Sequence, residues 1–149
     1  MALAHAKVKL EIREILLKKR PQNLYNISPK GTVPVLQLSD QTVIDESLDI
    51  MLWCLKKQNS SWINIELDKQ LDIISVNDKE FKYWLDHYKY FDRHPEESQI
   101  TYQKKCDFFL DVYENFLNNS IYLIDDNIRL ADIAIFPFVR QYANVNKEF

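Results

Sequence analysis

The residues of this chain best suited to hold a ligand lie in "PKGTVPVLQLSDQTVIDES", Pro29 to Ser47. Proline lacks the N–H that a central strand needs, so Pro34, between Val33 and Val35, belongs at an edge or a bend. The residue before a proline is driven to extended geometry, and Val33 can therefore offer its N–H and C=O to a short extended peptide. A few residues later a helix is expected to begin near Asp45 or Glu46, where unpaired N–H groups and the positive dipole end favour a carboxylate. The Ser47 hydroxyl adds a donor, while the Glu46 carboxylate favours an ammonium. Both charges on one carbon describe an α-amino acid head group, so the stretch predicts a site for a small peptide with a free amino-acid end. Taken singly, an acidic residue and a serine in a first helical turn are ordinary capping chemistry, and an edge proline is ordinary structure. Their joint order is what points to binding.

Elsewhere the spacing offers little chemistry. Cys54 and Cys106 lie in helical patterns without a CxxC pair and read as buried, reduced thiols. His5, His87 and His94 read as isolated, at neither triad-like nor zinc-like spacing, so no metal is expected. Tyr88, Tyr90 and Phe91 are spaced as core aromatics rather than as the lining of an electrophile pocket. A net charge of −3, with both signs interleaved, argues against a nucleic-acid surface. The run Lys18, Lys19, Arg20 reads as a solvated element end. No apolar run approaches the ~20 residues of a membrane span, and the N-terminus lacks the order of a signal peptide. A cytoplasmic protein is expected.

Several elements must position the candidate site. "MALAHAK" reads as the last turns of a helix, so the chain is expected to start in mid-helix. Val8 to Ile15 alternates apolar residues and predicts a half-buried strand. A short helix is predicted after Pro21, then a hairpin of "TVPVLQL" and "QTVI" turning at Ser39 and Asp40. A third helix follows, with Leu48, Met51, Leu52 and Leu55 on one face. Polar "KKQNSSW" marks a boundary between units expected at 1–58 and 65–149. Beyond it all reads as helix: one long or two consecutive helices through Leu67, Leu71, Ile74, Phe81, Trp84, Leu85 and Tyr88; another through Tyr102, Cys106, Phe109, Val112 and Phe116; and a last one from about Leu130, which Pro137 is expected to kink.

"SPKGTVPVLQLSDQTVIDESLDIMLWCL" resembles the second half of the thioredoxin-like domain of the glutathione transferases, and "LADIAIFPFVRQYANV" resembles the sixth helix of their all-helical second domain. The resemblance, to bacterial-type or omega-like members, implies an α/β thioredoxin-like domain followed by an all-α domain. It implies glutathione as the bound cosubstrate, a small electrophile as the second substrate and a homodimer, with neither nucleic acid nor membrane as partner. By the same resemblance Val33, before a cis-proline, pairs its backbone with the cysteinyl part of glutathione. Glu46 and Ser47 hold the γ-glutamyl head, Arg20 the glycyl carboxylate, and Pro34 and Asp132 are structural.

The family carries a first strand and a turn with a catalytic Tyr, Ser or Cys, and the resemblance implies that both would precede Met1. No catalytic residue is assigned within the chain, which is therefore read either as part of an enzyme that conjugates glutathione or reduces glutathionyl mixed disulfides, or as a non-catalytic binding module or decayed fragment. At the last helix the family often has Ser or Thr three residues before the aspartate, whereas Arg129 precedes Asp132 here. Only the carboxylate's half of a capping box is expected, and Arg129→Ser is predicted to stabilise by ~1 kcal/mol.

Overall fold

The structure, a computed structural model, describes residues 1–146; the chain divides into two units, Met1–Ser60 and Ser61–Phe149. In the first, Ala2–His5 form a short helix, α1, stopped where Lys7 takes φ 51°. Ala2 and Ala6 have little side chain, so α1 packs closely on α3 (Ser47–Lys57), whose Ile50, Cys54 and Leu55 are buried. Helix α2, Gln22–Ile27, starts directly after Pro21 and buries Leu24. A two-residue ladder pairs β1 (Leu36–Gln37) with β2 (Val43–Ile44) antiparallel, Leu36 opposite Ile44. Its turn is held where the Thr42 N–H donates to Asp40 Oδ1 at 2.9 Å and Gln41 adopts φ 70°.

The predicted strand Val8–Ile15 does not form. An alternating run becomes a strand only beside a partner's row of backbone groups; among the described residues the one bridge nearby joins Leu16 to Lys19. Ile12 is accordingly 77% exposed. The first hairpin strand is likewise shorter than "TVPVLQL".

In the second unit, after a 3₁₀ turn at Ser61–Ile63, α4 (Leu67–Val76) passes through a π-helical turn, Asn77–Phe81, into α5 (Lys82–Lys89). The predicted choice between one helix and two resolves as one path with a widened turn. Helix α6, Gln99–Leu117, is capped by the Ser98 hydroxyl, which accepts from the Thr101 N–H at 3.2 Å. Helix α7, Leu130–Ala143, runs through Pro137. Apolar residues at 3.6 spacing meet where α5 lies on α6 and α4 on α7. Phe81 sits between Phe109 and Tyr113, ring centroids 5.9 and 6.0 Å away.

Three buried polar side chains tie this core. Gln70 Nε2 donates to the carbonyls of Trp62 and Ile65, while its Oε1 accepts from the Ala131 N–H at 3.1 Å. Tyr113 donates to Asn77 Oδ1 at 3.2 Å. Arg129, 4% exposed, donates through Nε and Nη2 to Asp125 and through Nη1 to the Ser61 carbonyl and Asn64 Oδ1. Asp132 supplies the expected half of a capping box, accepting from the Arg129 N–H at 2.7 Å, and also holds the Leu123 N–H at 2.9 Å. A guanidinium has no acceptor, so it supplies no other half. The burial of Arg129 nevertheless overturns the expectation that serine there would stabilise, because the guanidinium holds a loop, a turn and an aspartate together.

Candidate functional site

The candidate residues Val33, Pro34, Glu46 and Ser47 are all carried by the first unit. Gly31, the chain's one glycine, turns the backbone at φ 61° just before them, a left-handed conformation that costs a side chain ~1–2 kcal/mol. A Cβ there would also lie 2.3 Å from Tyr25 Cε1, so the Tyr25 ring, itself 39% exposed, would have to swing aside for any other residue. The Val33–Pro34 peptide bond is cis, and Val33 is 46% exposed. After the hairpin, Glu46 takes an extended backbone as the N-cap of α3, with no side-chain cap bond, and Ser47 is its first helical residue; both side chains are exposed.

Two contacts bind the segment before Val33 to the start of α3. Ser28 Oγ donates to Asp45 Oδ2 at 2.9 Å, and Lys30 Nζ donates to Glu46 Oε1 at 2.6 Å, with Asp45 Oδ1 at 3.9 Å. The hydrogen bond to Glu46, and then the charge of Asp45, push the Lys30 ammonium above the usual lysine range. The segment leading to the bend at Val33 is thus tied to a helix N-terminus and to a carboxylate that already holds an ammonium. Ser28 and Lys30 were not singled out from the sequence; the signal was a lysine in "PKG" facing the acidic pair Asp45 and Glu46 across a hairpin. Arg20 stands apart, exposed before Pro21, and among the described residues no contact ties it to this cluster.

The other chemistry-bearing residues divide. Cys54 and Cys106 are fully buried, and burial pushes both thiols up, Cys106 to about 12 with Asp107 adding to it. Neither can supply a ready thiolate. Tyr88 is buried, whereas Phe91 is 43% exposed and so is not core. His5 hydrogen-bonds Ser60 at 3.1 Å. His87 and His94, read from the sequence as isolated, are not: a 3₁₀ turn at Phe91–Arg93 folds His94 back until the two rings stack at 3.7 Å. In "HYKYFDRH" the two histidines would stand about 10 Å apart along a continuous helix and lack zinc-finger spacing, and only the break after α5 brings them together.

Among the described residues no helix is long and apolar enough to cross a membrane. No curated protein matches the chain. Residues 1–57 match the family model "Glutathione S-transferase, N-terminal domain". Among solved structures, a ternary complex of BphK, a bacterial GST, is 20% identical over 97% of this chain and 76% of its own, with TM-score 0.81. The glutathione transferase URE2P6 from Phanerochaete chrysosporium, in complex with oxidized glutathione, is 18% identical over 99% and 74%, with TM-score 0.82. A glutathione S-transferase-I bound with lactoylglutathione is 24% identical over 97% and 78%, with TM-score 0.75. At such identities the likeness is one of fold: a thioredoxin-like unit with a small sheet, followed by a helical one.

Proposed function

We propose that this chain is a member of the glutathione S-transferase family, as the N-terminal-domain match over residues 1–57 and the shared fold support, that it binds glutathione at the start of α3 and that it serves glutathione transfer to a small electrophile. The observation that carries this is the Lys30–Glu46 contact at 2.6 Å beside a helix N-terminus. It supports a carboxylate already disposed to an exposed ammonium, one residue from N–H groups disposed to a carboxylate.

In this reading the γ-glutamyl ammonium meets Glu46, its carboxylate meets the Ser47 hydroxyl and the first N–H groups of α3, and Lys30 yields its place. The cysteinyl backbone pairs with Val33. The glycyl carboxylate reaches Arg20, which is exposed and free to swing. Bound this way, the peptide presents its thiol beside Val33; once deprotonated, sulfur attacks the electrophile and the new S–C bond replaces that to the leaving group. A homodimer in the cytoplasm belongs to the same proposal.

Titration calorimetry with reduced glutathione tests the site. Ser47→Ala is expected to weaken binding about tenfold or more, the worth of a hydrogen bond to a charged group. Glutathione lacking its α-amine should lose as much on the unaltered protein. Equal affinity in both comparisons would remove Glu46 and Ser47 from the site.

A further inference from the structure

Helix α5 ends in a cluster that the glutathione reading does not use. Asp86 and His87 lie on its last turn, and His94 returns beside them after the 3₁₀ turn, His94 Nε2 lying 3.7 Å from Asp86 Oδ2. One donor atom from each of the three lies within 4.8 Å of the others. The backbone that sets this geometry is pinned throughout. The Tyr90 N–H donates to the Asp86 carbonyl at 2.9 Å, Arg93 N–H to Tyr90 at 2.8 Å and His94 N–H to Phe91 at 3.1 Å. From α6, Tyr102 Oη donates to the His94 carbonyl at 3.2 Å.

The tautomer of His87 is also set. Its Nδ1 lies 2.8 Å from the Tyr83 carbonyl, which can only accept, so Nδ1 carries a proton and the lone pair of the neutral ring belongs to Nε2. A carbonyl on the far ring nitrogen is the partner that metal-bound histidines ordinarily have. Tyr83, Trp84 and Tyr102 pack around the ring, with centroids 4.2, 5.9 and 5.2 Å away, and limit where it can point.

We propose that Asp86, His87 and His94 form a binding site for a divalent transition-metal ion, with Zn²⁺ as its fitting occupant. Two imidazoles and one carboxylate are the donor set of borderline cations; Mg²⁺ and Ca²⁺ take oxygen ligands instead. Three protein ligands leave the fourth tetrahedral position to water or to a ligand of the metal. Ligand atoms about 2.0–2.2 Å from zinc sit roughly 3.3 Å apart, so the cluster closes by rotation of Asp86, whose side chain is 61% exposed, and by the His94 ring turning out of the stack toward the fixed His87 ring. The expectation of a chain without metal came from reading these histidines as isolated, and their meeting removes its ground.

The test uses the full chain without an affinity tag, stripped by chelator, then titrated with Zn²⁺ in a calorimeter and with Co²⁺ in a spectrophotometer. One equivalent should bind, Co²⁺ should give the intense visible bands of a tetrahedral site, and Zn²⁺ should raise the melting temperature. His87→Ala and His94→Ala should each weaken binding at least tenfold, more than loss of an outer-shell partner alone, while His5→Gln leaves it unchanged. No binding, or binding that survives both variants, overturns the site. Should either variant fail to fold, the imidazole resonances of the unaltered protein decide. Selective shifts of His87 and His94 at one equivalent of Zn²⁺ support the site; shifts spread over all three histidines, or none, overturn it.

Discussion

Arg129→Ser tests how the second unit is held together. The side chain is 5% exposed and Nη1 alone donates to the Ser61 carbonyl and to Asn64 Oδ1. Each such bond contributes ~1 kcal/mol net, and the buried aliphatic stem adds roughly another. Serine at the N-cap returns ~1 kcal/mol through the Asp132 N–H. The variant is therefore expected to be less stable by about 2 kcal/mol, before any loss from the Asp125 ion pair. That is a fall of ~4–8 °C in Tm for a chain of this size. Thermal and urea melts followed by far-UV circular dichroism read it directly. The pH dependence carries a second sign. The Arg129 guanidinium, chiefly by hydrogen bonding, holds the Asp125 carboxyl below the usual range. The unfolded carboxyl titrates near pH ~3.9, so the pair's contribution is complete above that and is lost as pH falls through the lower folded value. The gap between the unaltered protein and Arg129→Ser should narrow below about pH 4. A midpoint equal to or above that of the unaltered protein at pH 7 would refute the anchoring role, and a gap that widened in acid would refute the ion pair.

Gly31→Ala should cost ~1–2 kcal/mol from the left-handed backbone, with more from the Tyr25 ring. Adding Tyr25→Ala should relieve only the steric part, and an unchanged urea midpoint for Gly31→Ala would contradict the turn geometry. Cys54 and Cys106 should resist a thiol-specific disulfide reagent at pH 8 in the native protein and both react once it is unfolded. Labelling of native Cys106 at the rate of a free thiol would contradict its burial.

The helices of the second unit were legible because 3.6-residue periodicity survives local noise: Leu85, Tyr88, Tyr102, Cys106 and Phe109 were placed on buried faces and are buried there. The start of α7 at Leu130 and that of α2 after Pro21 followed from position-specific chemistry. Strand readings fared less well, since a strand is a relation between two segments and Val8–Ile15 has an alternating pattern without a partner. The Pro34-to-Ser47 order was readable as a binding motif, but the Lys30 and Ser28 contacts were not, because a hairpin brings together residues 16 and 17 positions apart. Arg129 was misread for a related reason. Its partners at Ser61 and Asn64 are 68 and 65 residues away, and no local rule distinguishes a buried arginine from a solvated one.

Gln70 gives the second unit a folding dependence that its helix lengths conceal. Helix α7 has no side chain of its own to receive the N–H of Ala131, and Gln70 of α4 receives it instead across 61 residues. A local cap lets a helix nucleate before it docks; a borrowed one does not. The first turn of α7 is complete only while α4 lies against it, and the same amide holds the chain entering α4. The two helices therefore gain and lose their ends together, and the exchange of the Ala131 amide with solvent measures their separation rather than the fraying of one terminus.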